Sequence, residues 1–454
     1  MDPAPLVSII VLNFNGERII ARCLDHLLAQ TYRPTEILVV DNASTDRSRE
    51  ILAGYADRIR LVASDRNHGC AGGRNVGLAA ASGSIVAFMD NDGYAAPSWL
   101  EEAVRLLGDE RVGAVAPLVF FNRHKLVLNG AGGTLNRRGY GGDFCFREPY
   151  EFARLPRHVL YPMGCGMVVR RAVLDAMHGF DEQLFNYYDD VEVGVWSWRT
   201  GFEVVCAPAA WVDHDFGASD VVNRNKVLLC ERNRIRTVLK YFPPRALPRW
   251  LLAEFLSFFH LRPAWQWAIP YRAWAWNLAN LGSALRLRRR FRARPCDLEP
   301  LIFPTWGEFP PPRPNDHLNR PEPAQARAEL SANGRDERQL NFGWYPVERD
   351  GHAQLRWTTA AASCFVRVPN GAEYLEITWR AAAADQRTAL RLRPLGELAP
   401  TWQTLDAPAT EWHTRRYACA PAPGPYELQI LTSPPVADRG GRELGVAVAH
   451  LAVA

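Results

Sequence analysis

A chain of 454 residues exceeds what one ordinary hydrophobic core accommodates, so two or three domains are expected. Its 48% apolar and 22% charged residues are those of a globular protein, and a net charge of only +4 argues against a dedicated nucleic-acid binder. The nine cysteines are odd in number and contain no CxxC pair, which fits reduced thiols in a cytosolic compartment rather than a disulfide framework. The opening Met1–Asp2–Pro3–Ala4–Pro5 has no basic stretch followed by an apolar run, so no signal peptide is expected. No uninterrupted apolar stretch reaches ~18 residues, so no transmembrane helix is expected either.

Val7–Leu12 is a β-branched apolar run closed by the turn-like Asn13–Phe14–Asn15–Gly16. From Glu17 to Ala29 apolar residues recur at helical spacing. Glu36–Val40 is a second strand, ending in Asp41–Asn42–Ala43–Ser44–Thr45–Asp46, and Ile59–Val62 is a third. A fourth, Val86–Met89, stops abruptly at Asp90–Asn91–Asp92. Strand starts near 7, 36, 59 and 85 lie about one βαβ unit apart, which predicts a parallel, doubly wound, Rossmann-like α/β sheet. Neither GxGxxG after the first strand nor GxxxxGK[ST] anywhere is present, so dinucleotide oxidoreductases and P-loop nucleotidases lose their main signal.

Carboxylates at strand tips take their place. Alternate residues of an extended segment face the same way, so Asp90 and Asp92 could share one divalent cation and the sugar–phosphate it carries, although Asp-Asn-Asp-Gly is also good turn chemistry. Asp41 is placed to accept hydrogen bonds from a base or ribose, while Ser44 and Asp46 suit helix capping. Between strands three and four, Asn67–Gly77 is rich in glycine. It lets backbone approach a ligand, with Arg74 within reach of a diphosphate, or else packs a helix tightly on the sheet. Gly130–Gly133 and Gly139–Gly142 read as mobile loops, and Pro162–Arg171, with Gly164 and Gly166, as a buried strand running into a helix.

A second acidic centre follows at Phe185–Asn186–Tyr187–Tyr188–Asp189–Asp190–Val191–Glu192. Acids are stabilised at a helix N-terminus, and a carboxylate so placed can also serve as a general base. His214, among Asp213 and Asp215, reads by itself as structural or solvent-exposed. Cys230–Pro243 is a basic amphipathic helix stopped by prolines.

In this order the segments Val-Ser-Ile-Ile-Val-Leu-Asn-Phe-Asn-Gly, Val-Val-Asp-Asn-Ala-Ser-Thr-Asp, Arg74–Asn75, Met-Asp-Asn-Asp and Tyr-Asp-Asp-Val-Glu resemble the family 2 inverting glycosyltransferases of the GT-A fold, over about residues 5–243. The likeness is greatest to the bacterial rhamnosyltransferase-like branch. The resemblance implies a base contact for Asp41 and a donor side that includes Asn13, Asn15, Arg74 and Asp90. It implies Mg²⁺ or Mn²⁺ at Asp92, completed by His214 of a His-x-x-Gly element. Asp190 would be the catalytic base, and Gly164, Gly166, Tyr188 and Asp189 would lie on the acceptor side. Asp189 replaces the family's usual Glu, Arg74 stands where many members carry Asn, and Glu192 supports the helix.

Beyond residue 243 composition changes. Trp250, Trp265, Trp267, Trp274 and Trp276 fall within 27 positions, and six arginines crowd Arg286–Arg294. This suits helices lying on an anionic membrane surface, or a helical layer packed on the catalytic domain. Nine prolines between Pro295 and Pro323 mark a connector. Alternating runs such as Cys364–Val368, Tyr374–Trp379 and Tyr426–Ile430 predict a C-terminal antiparallel β-sandwich resembling a jelly-roll module of bacterial sugar transferases. Its Trp344, Tyr345 and Trp357 either stack on sugars or pack a core.

The expected layout is therefore a GT-A domain over 1–243, amphipathic helices over 244–295, a linker over 296–335 and the sandwich over 336–454. The expected function is metal-dependent hexosyl transfer. The donor would be a nucleoside-diphosphate sugar carrying UDP or dTDP, with dTDP-rhamnose one candidate, and the acceptor lipid-linked or polysaccharide. The expected place is the cytoplasmic face of the membrane, in cell-surface glycan synthesis, with no nucleic acid involved. A nucleotidyltransferase acting on a sugar phosphate and a non-catalytic glycan-binding scaffold are the alternatives.

Overall fold

The computed structural model describes residues 4–122, 128–146, 155–215, 224–257 and 268–291, a few isolated positions, and strands beyond residue 328. The chain forms two compact units, divided near residues 311 and 312.

In the first unit, β1 (Val7–Asn13), α1 (Ile20–Leu28), β2 (Thr35–Asp41), α2 (Ser48–Ala53), β3 (Arg60–Ala63), α3 (Gly69–Ala80) and β4 (Ile85–Asp90) follow in order. The four strands pair in parallel, in the order β3-β2-β1-β4. Ile20, Cys23, Leu24 and Leu27 line one side of α1 and are buried in the sheet's core, as their spacing predicts. On α3 the glycines serve packing. A Cβ on Gly77 would lie 2.4 Å from Ile10 Cγ2, so only glycine lets this helix sit so close to β1.

The sheet then becomes mixed, which corrects the expectation of a wholly parallel one. The chain continues through β5 (Gly93–Ala95), α4 (Trp99–Leu107), β6 (Val112–Phe121), β7 (Leu128–Gly130), β8 (Gly133–Leu135), β9 (Gly141–Asp143), β10 (Val168–Arg170), α5 (Arg171–Met177), α6 (Asp189–Arg199) and β11 (Glu203–His214). The strand order is β3-β2-β1-β4-β10-β6-β11-β5, with β10 antiparallel to β4 and β6, and β5 antiparallel to β11. Parallel entry needs a crossover that returns the chain to the same end; among the described residues between β9 and β10 there is no α-helix to make one, and β10 enters from the opposite end. The glycine-rich stretches read as mobile loops are largely buried, and short strands begin or end within them. Gly133 packs under an aromatic ring, where a Cβ would stand 2.2 Å from Tyr161 Cζ.

Four helices complete this unit: α7 (Arg224–Tyr241), α8 (Leu247–Ser257), α9 (Ala268–Ala279) and α10 (Leu281–Phe291). They share a core with α6 built from Val191, Val195, Ile235, Val238, Trp250 and Phe291, among others. Several basic residues of α7 lie inside. Arg234, Arg236 and Lys240 are all buried, against Glu231 and Glu254, Asp181, and Asp181 with Glu192 respectively. Arg288 is also drawn in, donating to the carbonyls of Leu239 (2.8 Å) and Phe242 (2.6 Å) at the end of α7. Among the described residues no helix is long and apolar enough to cross a membrane.

In the second unit Ala353–Val368 is one continuous strand. It pairs antiparallel with Gly424–Ser433 through its second half and with Val446–Val453 through Arg356 and Trp357. Cys364, Val366, Ile377, Trp379, Leu428, Ile430 and Leu451 make its core. Glu329–Ser331 pairs with Val446–Val453, so a strand lies inside the expected linker. Most of that linker, Trp265 and Trp267, and the side chains of Trp344, Tyr345 and Trp357 fall outside the described residues.

Candidate active site

The carboxyl ends of β1, β2 and β4 meet at one edge of the sheet, the place where open α/β sheets bind ligands. Asn13, fully buried at the tip of β1, knits them together. Its Nδ2 donates to Asp41 Oδ1 (3.3 Å) and Ser44 Oγ (3.2 Å), while its Oδ1 accepts from Asn91 Nδ2 (2.9 Å). Asn15 holds the next turn, accepting from Thr45 N at 2.8 Å. Asp41 is also buried and accepts from Arg49 Nε at 2.5 Å. Ser44 latches the Asn15 amide (3.0 Å), while Asp46 both takes the Glu17 amide (2.9 Å) and, as its type suggests, accepts from Ser48 N at the start of α2 (3.0 Å).

Beyond β4, the pairing of His214 with Gly93 in β5 carries the imidazole to Asp92, with Nε2 3.3 Å from Asp92 Oδ1. Its Nδ1 lies 2.9 Å from Asn129 Oδ1, an acceptor, so Nδ1 carries the proton and Nε2 turns a lone pair toward the carboxylate. Two facing acceptors call for a cation between them or a charged imidazole. Ligand atoms of Asp90, His214 and Cys165 lie within 4.8 Å of one another. Burial and nearby Asp92 push the Asp90 carboxyl above its usual range against the opposing pull of Arg74, and burial pushes the Cys165 thiol well up. Asp90, Asp92 and His214 thus fit a hard divalent ion, whereas a neutral thiol does not.

Arg74, on the second turn of α3 and buried, joins this group to the second acidic centre. It pairs with Asp189 and lies 3.3 Å from Asp90 Oδ1 and 3.2 Å from the Gly164 carbonyl. The N-terminus of α3 does not present its amides to an anion. Gly69 N donates to Asn67 Oδ1 (2.8 Å), Cys70 N to Asn186 Oδ1 (2.8 Å) and Ala71 N to the Phe185 carbonyl (3.1 Å).

Asp190 opens α6 beside Asp189. Burial and the Asp189 charge raise its carboxyl to about 7, with Asp143 adding to the rise, while Arg74 and the Val191 amide oppose it. Asp143, on β9, was not singled out by sequence reasoning; it also accepts from Tyr161 OH at 3.4 Å. No spacing marks it, because only the fold brings a residue of a glycine-rich stretch to Asp190. Asn129 escaped notice for the same reason, 85 positions from its histidine. Tyr188 caps this corner, its OH donating to the Gly139 carbonyl (3.0 Å) and accepting from Gly141 N (3.3 Å). Glu192 turns away to Lys240, to Tyr241 OH (2.5 Å) and to Asp181 N (2.9 Å), as a support. Gly166, with φ of +89°, packs against Val212, and its carbonyl accepts from Trp99 Nε1 (3.0 Å).

The sequence profile of Glycosyl transferase family 2 matches residues 8–177. This stretch is thus similar to the family 2 glycosyltransferases. Asp41, Arg74, Asp90 and Asp92 lie within the matched stretch, whereas Asp190 and His214 lie beyond it. An uncharacterised glycosyltransferase of Nostoc sp. is 28% identical over 189 residues, 40% of this chain and 56% of that protein. The succinoglycan biosynthesis protein ExoO of Rhizobium meliloti is 36% identical over 105 residues, 23% of this chain and 30% of that protein. The chain therefore spans about half or less of the length of these curated relatives. Among solved structures, a mannosyltransferase from Pyrobaculum calidifontis in complex with GDP-Man and Mn²⁺ is 21% identical, covering 64% of this chain and 86% of that one, with a TM-score of 0.39. That likeness is too distant to bear on ligand or chemistry.

Proposed function

We propose that the protein is an inverting glycosyltransferase. It would move a sugar from a nucleoside-diphosphate donor, a UDP or dTDP sugar with dTDP-rhamnose among the candidates, to a lipid-linked or polysaccharide acceptor. The observation that carries this reading is Asp190, a carboxyl raised to about 7 and separated from the Asp90–Asp92–His214 group by the Arg74–Asp189 pair. A base tuned near neutrality beside a cation-ready group is what displacement of a diphosphate by a hydroxyl requires.

Asp92, His214 and Asp90 would hold Mg²⁺ or Mn²⁺, whose charge offsets that of the departing diphosphate. Asp41, Asn13 and Asn15 would hold the nucleoside at the tips of β1 and β2. Arg74 keeps Asp189 and Asp90 in place from within the protein. Asp190 would accept the proton of the acceptor hydroxyl as its oxygen attacks the anomeric carbon opposite the diphosphate, which inverts that carbon. Tyr188, Gly164 and Asp189 would border the acceptor.

Exposed Leu251, Leu252, Phe255 and Leu256 on α8, with exposed Arg286, Arg289 and Arg290 on α10, support placement on an anionic membrane surface, at its inner face. Calorimetric titration with UDP, dTDP and GDP, each with Mn²⁺ and with a chelator, tests the reading. One nucleotide should bind, and only with metal. A folded protein that binds none overturns it, and pyrophosphate release from a nucleoside triphosphate would point to nucleotidyl transfer.

A further inference from the structure

Asn233 on α7 is fully buried, yet it takes no part in the ion pairs that occupy Arg234 and Arg236. Its Nδ2 lies 3.0 Å from the Leu184 carbonyl, 2.7 Å from that of Asn186 and 3.0 Å from that of Tyr187. All three belong to the segment that leads into α6. Its backbone is unusual, with φ of 65° at Phe185, 70° at Tyr187 and 70° at Tyr188. Bulky residues in the left-handed region cost on the order of 1–3 kcal/mol each and persist only where the surroundings impose them.

The surroundings do so from two sides. The α3 amides of Cys70 and Ala71 hold Asn186 Oδ1 (2.8 Å) and the Phe185 carbonyl (3.1 Å), and Gly69 is left without a side chain where a Cβ would meet that carbonyl at 2.3 Å. From α7, Arg232 Nη2 donates to the carbonyls of Gln183 (2.9 Å) and Leu184 (2.7 Å), beside the Asn233 bonds. The next two residues after Tyr188 are Asp189 and Asp190. Meanwhile α7 is docked independently, through Arg234 to Glu254, Arg236 to Asp181, and Lys240 to Glu192. Losing Asn233 therefore frees the segment rather than the helix. A carboxamide suits the task because its planar NH₂ offers two hydrogens to neighbouring carbonyls, where serine offers one and alanine none.

We propose that Asn233 is a positioning residue, fixing the left-handed course of residues 184–188 and thereby the place of Asp190, without touching the reacting atoms. It rests on Asp190 being the base. A displacement of ~1 Å at such a group costs ~10²-fold in rate.

The test uses full-length Asn233→Ala and Asn233→Ser, each also combined with Asp190→Asn. Amide hydrogen exchange is followed by mass spectrometry. Nucleoside-diphosphate release is measured from UDP-GlcNAc, dTDP-rhamnose and GDP-mannose with Mn²⁺. In Asn233→Ala, exchange over 182–190 should rise about tenfold or more with β1–β4 unchanged, and Asn233→Ser should fall between. Release should drop ~10²-fold beside Asp190 and lose nothing further beside Asp190→Asn. Unchanged exchange in the segment overturns the proposal. So does a rise spread over the whole domain, collapse of both variants, or an equal loss of rate in both backgrounds. Full turnover by Asp190→Asn alone removes the base reading instead, and leaves the exchange pattern to judge the clamp. Should none of the three donors turn over, that pattern decides by itself.

Discussion

Asp190 meets two opposed demands. To act as a base near neutral pH it must hold its proton more tightly than an ordinary carboxyl, and burial next to Asp189 ensures this. The folded-state value of about 7 stands above the ordinary 3.8, so the folded chain binds that proton more strongly than the unfolded one. The contribution to stability is fully present below pH ~4 and is lost as pH rises through about 7, a swing of up to about 4 kcal/mol. Asp190→Asn should thus raise the melting temperature at pH 8 and change it little at pH 4, read by thermal melts at the two pH values. The same variant should keep metal-dependent nucleotide binding and lose transfer. If Asp190 is the base proposed, turnover by the unaltered chain should fall about tenfold per pH unit below 7. Arg74→Met should move that limb upward, because the guanidinium opposes the rise. A limb indifferent to both changes would leave the proton with some other group.

On the scale of elements, α7 is held by charge inside the protein. Lys240 is fully buried and neutralises Asp181 and Glu192 together, while Tyr241 OH and Asp181 N complete the Glu192 shell. Replacing such a cation by an apolar group leaves two buried carboxylates short of a partner. Lys240→Met should cost roughly 3–5 kcal/mol in urea unfolding, against less than about 1 kcal/mol for Arg105→Ala, whose partner Glu102 lies on the surface of α4. Equal effects would mean that the network is not intact in solution. Here sequence and structure part company. The strands β2 and β4 are legible because each is an apolar run ending in a carboxylate, and β1 because its apolar run ends in the turn-like Asn13–Gly16; all these features are local. The interior of α7 is not legible, since Lys240 finds its acids 48 and 59 positions away. A basic helix whose partners are that distant reads as solvated. The direction of β10 was hidden likewise, being set by a three-residue strand whose partners Ala87 and Val115 lie on two other strands. The pairing of His214 with Asp92 could be suspected from residue type, but only the β5–β11 register brings it about.

On the scale of the molecule, the helices after residue 243 divide their labour between packing and surface. The tryptophans that suggested a membrane belt are in part structural: Trp250 is fully buried and rests 5.5 Å from the Trp274 ring, within the core that also holds α6. What faces outward on α8 is leucine and phenylalanine, with Leu252 and Phe255 each 59% exposed, and on α10 arginine at 286, 289 and 290. Apolar area inserts into the headgroup boundary of any bilayer, whereas the arginines respond only to negative charge and only within a Debye length. The two contributions therefore separate experimentally. The protein should co-sediment with vesicles containing phosphatidylserine and much less with pure phosphatidylcholine. Arg289→Ala with Arg290→Ala should weaken binding to the anionic vesicles roughly tenfold at low salt, an effect that high salt abolishes. Leu251→Glu with Leu252→Glu should weaken binding to both vesicle types at any salt. Since Trp250 and Glu254 on the inner side of α8 stay untouched, the melting temperature should hold in every variant. Binding that ignores lipid charge would return the arginines to solvent. Binding to neither vesicle would shift the acceptor from a lipid-linked glycan to one met in solution.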